Sequence, residues 1–220
     1  MSATFKESVG GLIWYCECKK LALDQIRAFV PPANSHNMRM YYSLSLTNLL
    51  ALIDLSEEVF GGHISTDWEN TLEGIGGHTG KNNAAYVREL RNAAIHRGLD
   101  ITSSGTVLAG HVYAVAPVEI QDRWARKPPY NTFAPLLINL FEICDQRVSS
   151  IIFSSAETEL TASEEIDVER ERIIYLEEVD RSIHMPEWVK KSAREMVNEI
   201  PFQILYANQI EKLRSLLRPS

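Results

Sequence analysis

Two adjacent prolines, Pro31 and Pro32, separate two long stretches of helical periodicity, and that arrangement limits the chain more than any other feature. Residues 4–29 carry Phe5, Val9, Leu12, Ile13, Cys16, Leu23 and Ile26 at spacings of three, four and seven, the signature of one apolar helix face. Residues 36–60 repeat the pattern with Met38, Tyr41, Leu44, Leu49, Leu52 and Leu55. Thr4 can cap the first helix, the prolines stop it, Asn34 or Ser35 can cap the second, and Gly61-Gly62 ends it. Two long helices joined by so short a link must fold back on each other. The expected class is therefore mainly all-α.

The rest of the chain extends that frame. Residues 61–80 are glycine-rich, with a short helical stretch at 66–72. A third helix is predicted over 82–97, with Asn82 as its cap and Gly98 as its stop. The spacing then changes: 106–108 and 111–115, with Tyr113 and several valines, read as a small β-hairpin. After Pro128-Pro129 a fourth helix is predicted over 132–153, capped by Asn131 or Thr132, with Leu136, Leu137, Leu140, Ile143 and Val148 facing inward. Residues 154–171 turn polar and acidic, through Glu157, Glu159, Glu164, Glu165, Asp167 and Glu169, and helices follow over 168–183, 186–200 and 202–217. The expected organisation is a four-helix bundle with a β-hairpin insertion over 1–153, then an acidic linker and C-terminal helical extension over 154–220.

Composition removes several classes. No apolar run approaches the roughly 20 residues a bilayer requires, and the first residues lack the basic-then-apolar pattern of a secretion signal. The three cysteines, Cys16, Cys18 and Cys144, contain no Cys-x-x-Cys pair, which predicts reduced thiols in the cytoplasm. The six histidines show no zinc-ligand spacing, so neither a metal nor a cofactor is expected. The net charge of −7 argues against general nucleic-acid binding, yet residues 81–127 hold seven Lys/Arg against four Asp/Glu. That local excess permits a phosphodiester to dock at one site. Gly74 to Lys81 superficially suggests a phosphate loop, but Ile75 occupies the first glycine position and Asn82 replaces Ser/Thr. It reads instead as a flexible lead into the third helix, from which Lys81 and His78 can approach phosphate.

That third helix contains Arg88-Glu89-Leu90-Arg91-Asn92-Ala93-Ala94-Ile95-His96-Arg97-Gly98. Val87, Leu90 and Ala94, with Ile95 beside them, are expected to keep one face in the core. Asn92 and His96, four apart, share another face. Arg91 lies about 140° around the helix from His96 but is long enough to swing toward it. His96 is in the last turn, where the helix dipole favours a positive charge. A planar guanidinium matches phosphate oxygens, and an imidazole can take or give a proton.

With Arg91, a polar Asn92 directly after it, and His96 closing the shortest spacing, the segment resembles the Arg-x(4–6)-His motif of the HEPN superfamily. The order of helices is similar too, and the resemblance covers residues 1–153. It implies metal-independent cleavage of RNA through attack of the ribose 2′-hydroxyl, at a site composed from two subunits of a homodimer. Carried onto this chain, His96 is the general base or acid, Arg91 stabilises the phosphorane and Asn92 positions one of them, with Arg88, Arg97 and Lys81 contacting substrate phosphates. Such proteins act as toxins or in antiviral defence, which implies an inhibitory protein partner. The alternative is a non-catalytic HEPN-like interaction or nucleotide-binding module. A third reading has Arg91 pairing with a carboxylate while His96 and Arg97 satisfy helix-end carbonyls. Finally, Arg123, Arg126 and Lys127 with Trp124 and Tyr130 either flank an RNA groove or form a solvated loop around one buried tryptophan.

Overall fold

The computed structural model describes residues 5–124, 127–162 and 166–218. Thr4, Arg126, Glu164 and Glu165, named above as a cap, a basic residue and part of the acidic run, lie outside them. Helices α1 (Phe5–Arg27) and α2 (Ser35–Phe60) pack along their lengths as the proline link requires. Asn34 caps α2 by accepting from the Asn37 N–H at 3.0 Å, and Gly61, at φ 101°, ends it. Their shared face buries Val9, Leu12, Ile26, Leu46, Leu52 and Ile53 completely.

Helix α3 (Ile64–Thr71) drives a fully buried Trp68 into the same core, and α4 (Gly80–His96) packs beside it. The β-hairpin forms from β1 (Gly105–Leu108) and β2 (His111–Ala114), with Thr106 opposite Tyr113. It is pinned to the helices at two points. The buried Tyr42 hydroxyl accepts from the Ala114 N–H at 3.0 Å, and the Val112 N–H donates to the Phe29 carbonyl at 2.9 Å. A second, two-residue ladder pairs β3 (Glu119–Ile120) with β4 (Tyr130–Asn131). That ladder takes Asn131 out of the running as a helix cap. Thr132 turns its hydroxyl to the Ala134 carbonyl, and α5 starts only at Leu137.

Helix α5 (Leu137–Ala162) corrects the expected boundary: it runs without a break through residue 153, burying Ile152, Ala156 and Leu160. After it come α6 (Val168–Arg181), α7 (Glu187–Met196) and α8 (Phe202–Leu217). Helix α8 belongs to the main core. It buries Tyr206, Ile210, Leu213 and Leu217 in the same cluster as α1 and α5, and Arg214 donates to the Leu160 carbonyl at 2.7 Å. Buried Lys19 of α1 forms an ion pair with Asp145 of α5 along the same seam. Helices α6 and α7 are more peripheral: Val179 is the buried residue of α6, and none of α7's side chains is buried. The architecture is thus a mainly helical bundle with two small antiparallel ladders, β1–β2 against α1 and α5 and β3–β4 against α4. Among the described residues no helix is long and apolar enough to cross a membrane.

Candidate functional site on helix α4

The position of α4 is fixed first at its N-terminus. Thr79, not Asn82, is the cap, its hydroxyl accepting from the Asn82 N–H at 3.3 Å, so the helix begins two residues earlier than expected. Glu73 reaches forward and its carboxylate accepts from the Gly80 N–H at 2.6 Å, putting a negative charge on the positive end of the helix dipole. Asn83 is completely buried and donates to the carbonyls of Leu72 at 2.9 Å and Ile75 at 3.0 Å. Gly80 lies so close to α3 that a Cβ there would stand 1.8 Å from the Glu69 carbonyl oxygen. The glycine loop is therefore a structural clamp. Its amides bond inward, Gly77 to Gly74 and His78 to Ile75, and Glu73 occupies the Gly80 amide, so the segment offers no cradle for phosphate.

The inner face of α4 buries Tyr86, Val87, Leu90, Ala93 and Ala94. Tyr86 crosses the core to donate to the Pro117 carbonyl at 2.6 Å. At the other end, Gly98 takes φ 72° and turns the chain so that the Leu99 N–H reaches the Ala93 carbonyl at 3.0 Å. Arg39 of α2 holds this turn by donating to the Gly98 carbonyl at 3.1 Å.

The outer face carries the motif. By helix geometry Arg91, Ile95, Asn92 and His96 follow one another around an arc of about 140°, with Arg91 and His96 at its two edges. Ile95, expected on the core face, instead lies between them and is 48% exposed. His96 is exposed, and among the described residues it makes no hydrogen bond or ion pair. Arg91 is half-buried; its Nε is enclosed without a hydrogen-bond partner, and no carboxylate pairs with it among the described residues. No hydrogen bond joins the two within one chain. Asn92 does not bond His96 either: its amide donates to Glu89 Oε1 at 3.2 Å.

The remaining basic residues divide into two kinds. Arg88 is committed to α3, pairing with Glu69 at 3.1 Å with its guanidinium 5.3 Å from the centroid of the Trp68 ring. Arg97 folds back to the Glu89 carbonyl at 3.2 Å and the Glu89 carboxylate at 3.5 Å, and also reaches the Gln121 carbonyl at 2.6 Å. Lys81 is exposed near the start of the helix. Glu89 is the residue that sequence reasoning passed over. It holds both Asn92 and Arg97, and its i, i+3 spacing to Asn92 was the available signal. The described residues contain no group of three or more His, Cys, Asp or Glu able to hold a metal ion.

Comparison of the chain with family models, with curated proteins and with solved structures finds no match.

Proposed function

We propose that this chain is a metal-independent endoribonuclease of HEPN type, working as a homodimer whose composite site is built from two copies of α4. The carrying observation is the state of Arg91. Its neighbours Arg88 and Arg97 are both paired with carboxylates, whereas among the described residues Arg91 has no counter-ion and keeps an enclosed, unsatisfied Nε. The enclosed Nε holds the guanidinium in place, and the terminal nitrogens of the half-buried side chain are left to meet a substrate phosphate.

The chemistry follows from these groups. One His96 imidazole takes the proton from a ribose 2′-hydroxyl; the 2′-oxygen forms a bond to the adjacent phosphorus, and the bond to the 5′-oxygen breaks. A second His96, in its imidazolium form, returns a proton to that leaving oxygen. The products are a 2′,3′-cyclic phosphate and a 5′-hydroxyl. Arg91 neutralises the phosphorane with its planar charge. Two copies supply the opposed imidazoles, and because Arg91 and His96 diverge by about 140° on one helix, the second copy closes the site from the other side. Exposed Ile95 provides apolar contact between them. Asn92, held by Glu89, keeps that face in register, and Lys81 extends the positive surface toward the RNA. Such an activity suits a toxin or defence effector held in check by an inhibitory partner.

The test compares wild type, Arg91→Ala and His96→Ala on a mixed RNA substrate with a chelator present. Cyclic-phosphate products from wild type, reduced at least 100-fold in either variant, are expected from the usual worth of a positioned acid or base, about 10²–10⁴-fold. Both variants retain wild-type stability within about 0.5 kcal/mol, as surface substitutions do. Absence of cleavage on any RNA, with equal growth of hosts expressing all three proteins, refutes the enzyme. A strictly monomeric yet fully active protein refutes the composite site.

A further inference from the structure

Helix α7 is amphipathic, yet it buries none of its side chains. Trp188, Val189, Ser192, Ala193 and Met196 fall within an arc of about 140° on one side of it, and its charged residues fill the rest. The helix is fastened to α6 by that charged side. Lys190 donates to the Asp180 carbonyl at 3.1 Å, and Arg194 pairs with the Asp180 carboxylate. Its apolar side is left in water, with Trp188 73% and Met196 57% exposed. A globular protein turns such a stripe toward a core, so one left uncovered marks a contact surface.

A groove of about 460 Å³ opens beside that stripe. Helix α7 lines it with Val189, Ser192, Ala193 and Met196, α6 with Tyr175, and the link to α8 with Glu199, Ile200 and Pro201. Tyr175 is held against Phe202, ring centroids 6.0 Å apart, so its place in the groove is set by packing. Trp188 stands one helical turn before Ser192, and exposed Leu205 one turn after Pro201, and both extend the apolar surface. The charges beside it are unbalanced. The cations of α7 are committed, Lys190 and Arg194 to Asp180 and Lys191 to Glu195, and Arg172, one turn from Tyr175, is paired with Glu169. Two carboxylates are not. Glu199 in the groove and Glu178, one turn along α6 from Tyr175, are exposed and without an ion-pair partner among the described residues.

We infer that the α6–α7 groove is a docking site for an amphipathic helix of a partner protein. The partner helix lays an apolar ridge along Trp188 and Met196 and sets Lys or Arg opposite Glu199 and Glu178. Helix α7 is about 15 Å long, which a partner of about three turns matches. A helix fits where a strand does not, because the groove offers helix faces and no sheet edge. The free carboxylates reject an acidic partner and attract a basic one. The inference stands apart from the chemistry of α4 and is tested without it.

The experiment titrates the full chain against fluorescein-labelled peptides of about sixteen residues, long enough to form helix, and follows anisotropy. The first peptide carries Leu at i, i+3, i+4 and i+7 with Lys on the flanks. The second has each flanking Lys changed to Glu, and the third keeps the first one's composition with the Leu spacing scrambled. The first is expected to bind about tenfold or more tightly than either control, and less tightly as salt rises. Trp188→Ala and Met196→Asp each weaken it about 30-fold, the usual effect of losing an apolar anchor. Glu199→Lys shifts the preference toward the acidic peptide. Thermal unfolding of all three variants is unchanged, since the positions are exposed. Absence of binding, equal binding of the three peptides, or binding indifferent to both Trp188 and Met196 overturns the inference. Loss of self-association in Met196→Asp, read by sedimentation, also overturns it and gives the groove to a second copy. Flotation of wild type but not Met196→Asp with phosphatidylcholine–phosphatidylserine vesicles overturns it in favour of a membrane surface.

Discussion

Replacing Gly80 with alanine separates backbone propensity from packing, because the two predict opposite signs. On propensity alone, Gly→Ala in a helix gains about 0.5–1 kcal/mol. Geometry says otherwise. The new methyl would stand 1.8 Å from the Glu69 carbonyl oxygen, 2.8 Å from its carbon and 3.0 Å from the Glu73 nitrogen, all backbone atoms. Restoring ordinary contact at about 3.5 Å requires α3 and α4 to separate by roughly 1.7 Å. Helix α3 has little freedom to retreat, since Trp68 is fully buried, Glu69 pairs with Arg88, and the Leu72 carbonyl is bonded by Asn83. Overpacking of this kind costs about 1–3 kcal/mol and more when backbone must move, so a net loss near 3 kcal/mol is expected. In urea, with a slope of about 3 kcal/mol per molar for a chain of this size, the midpoint falls by about 1 M. Gly10→Ala is the matched control. It lies inside α1, and beyond the local helix backbone nothing stands within 4 Å of its added Cβ, so the same substitution raises the midpoint slightly. Far-UV circular dichroism reads both transitions. Equal upward shifts for the two variants would refute the close α3–α4 approach and with it the account of how α4 is seated.

Other outcomes follow from the same framework. Asn83→Ala removes two buried donors and should cost about 2 kcal/mol at 0.5–1.5 each plus a small void, read as a lowered urea midpoint; an unchanged midpoint would show that the loop carbonyls find other partners. Burial raises the Cys16 thiol to about 11, and burial raises the Tyr42 and Tyr86 hydroxyls to about 12. The unfolded chain therefore releases these protons first, and stability is expected to fall as pH rises above about 9, continuing through 12; a flat profile from 8 to 11 contradicts it. The same burial leaves Cys16 and Cys144 unreactive to a thiol reagent at neutral pH until the chain unfolds, with partly exposed Cys18 reacting first.

What the sequence revealed, and what it concealed, follows the range of the interactions involved. The α1–α2 hairpin was legible because its signals are local: apolar spacing, two prolines, Asn34, and Gly61. The end of α4 at Gly98 was legible for the same reason. Its start was not, because Thr79 and Asn82 are both good caps and the choice is made by Glu73 and by contact with α3. Asn131 and Thr132 looked like caps for α5, but β3 takes Asn131 into a ladder opposite Glu119, well back along the chain. The boundary at 154 failed on chemistry of another kind. Polar residues there cover the solvent side of α5 while Ile152, Ala156 and Leu160 still face the core, so composition changed without the helix ending. At the motif, the shared face of Asn92 and His96 was readable from spacing. The unpaired state of Arg91 was not, because pairing depends on where carboxylates from α3 and the rest of α4 come to rest.

The seating of α8 against α1 also sets an order in time. The start of α8 leaves the ribosome about 175 residues after the end of α1. At roughly 5–20 residues per second, α1 waits about 10–35 seconds for the helix that completes its surroundings. During that interval the part of α1 that α8 covers stands open, and a chain stalled before residue 202 displays to the cell a surface that α8 hides. The helix that carries the proposed chemistry is synthesised well before its scaffold can close, so any activity that depends on a rigid pair of α4 helices is deferred until α8 has been made.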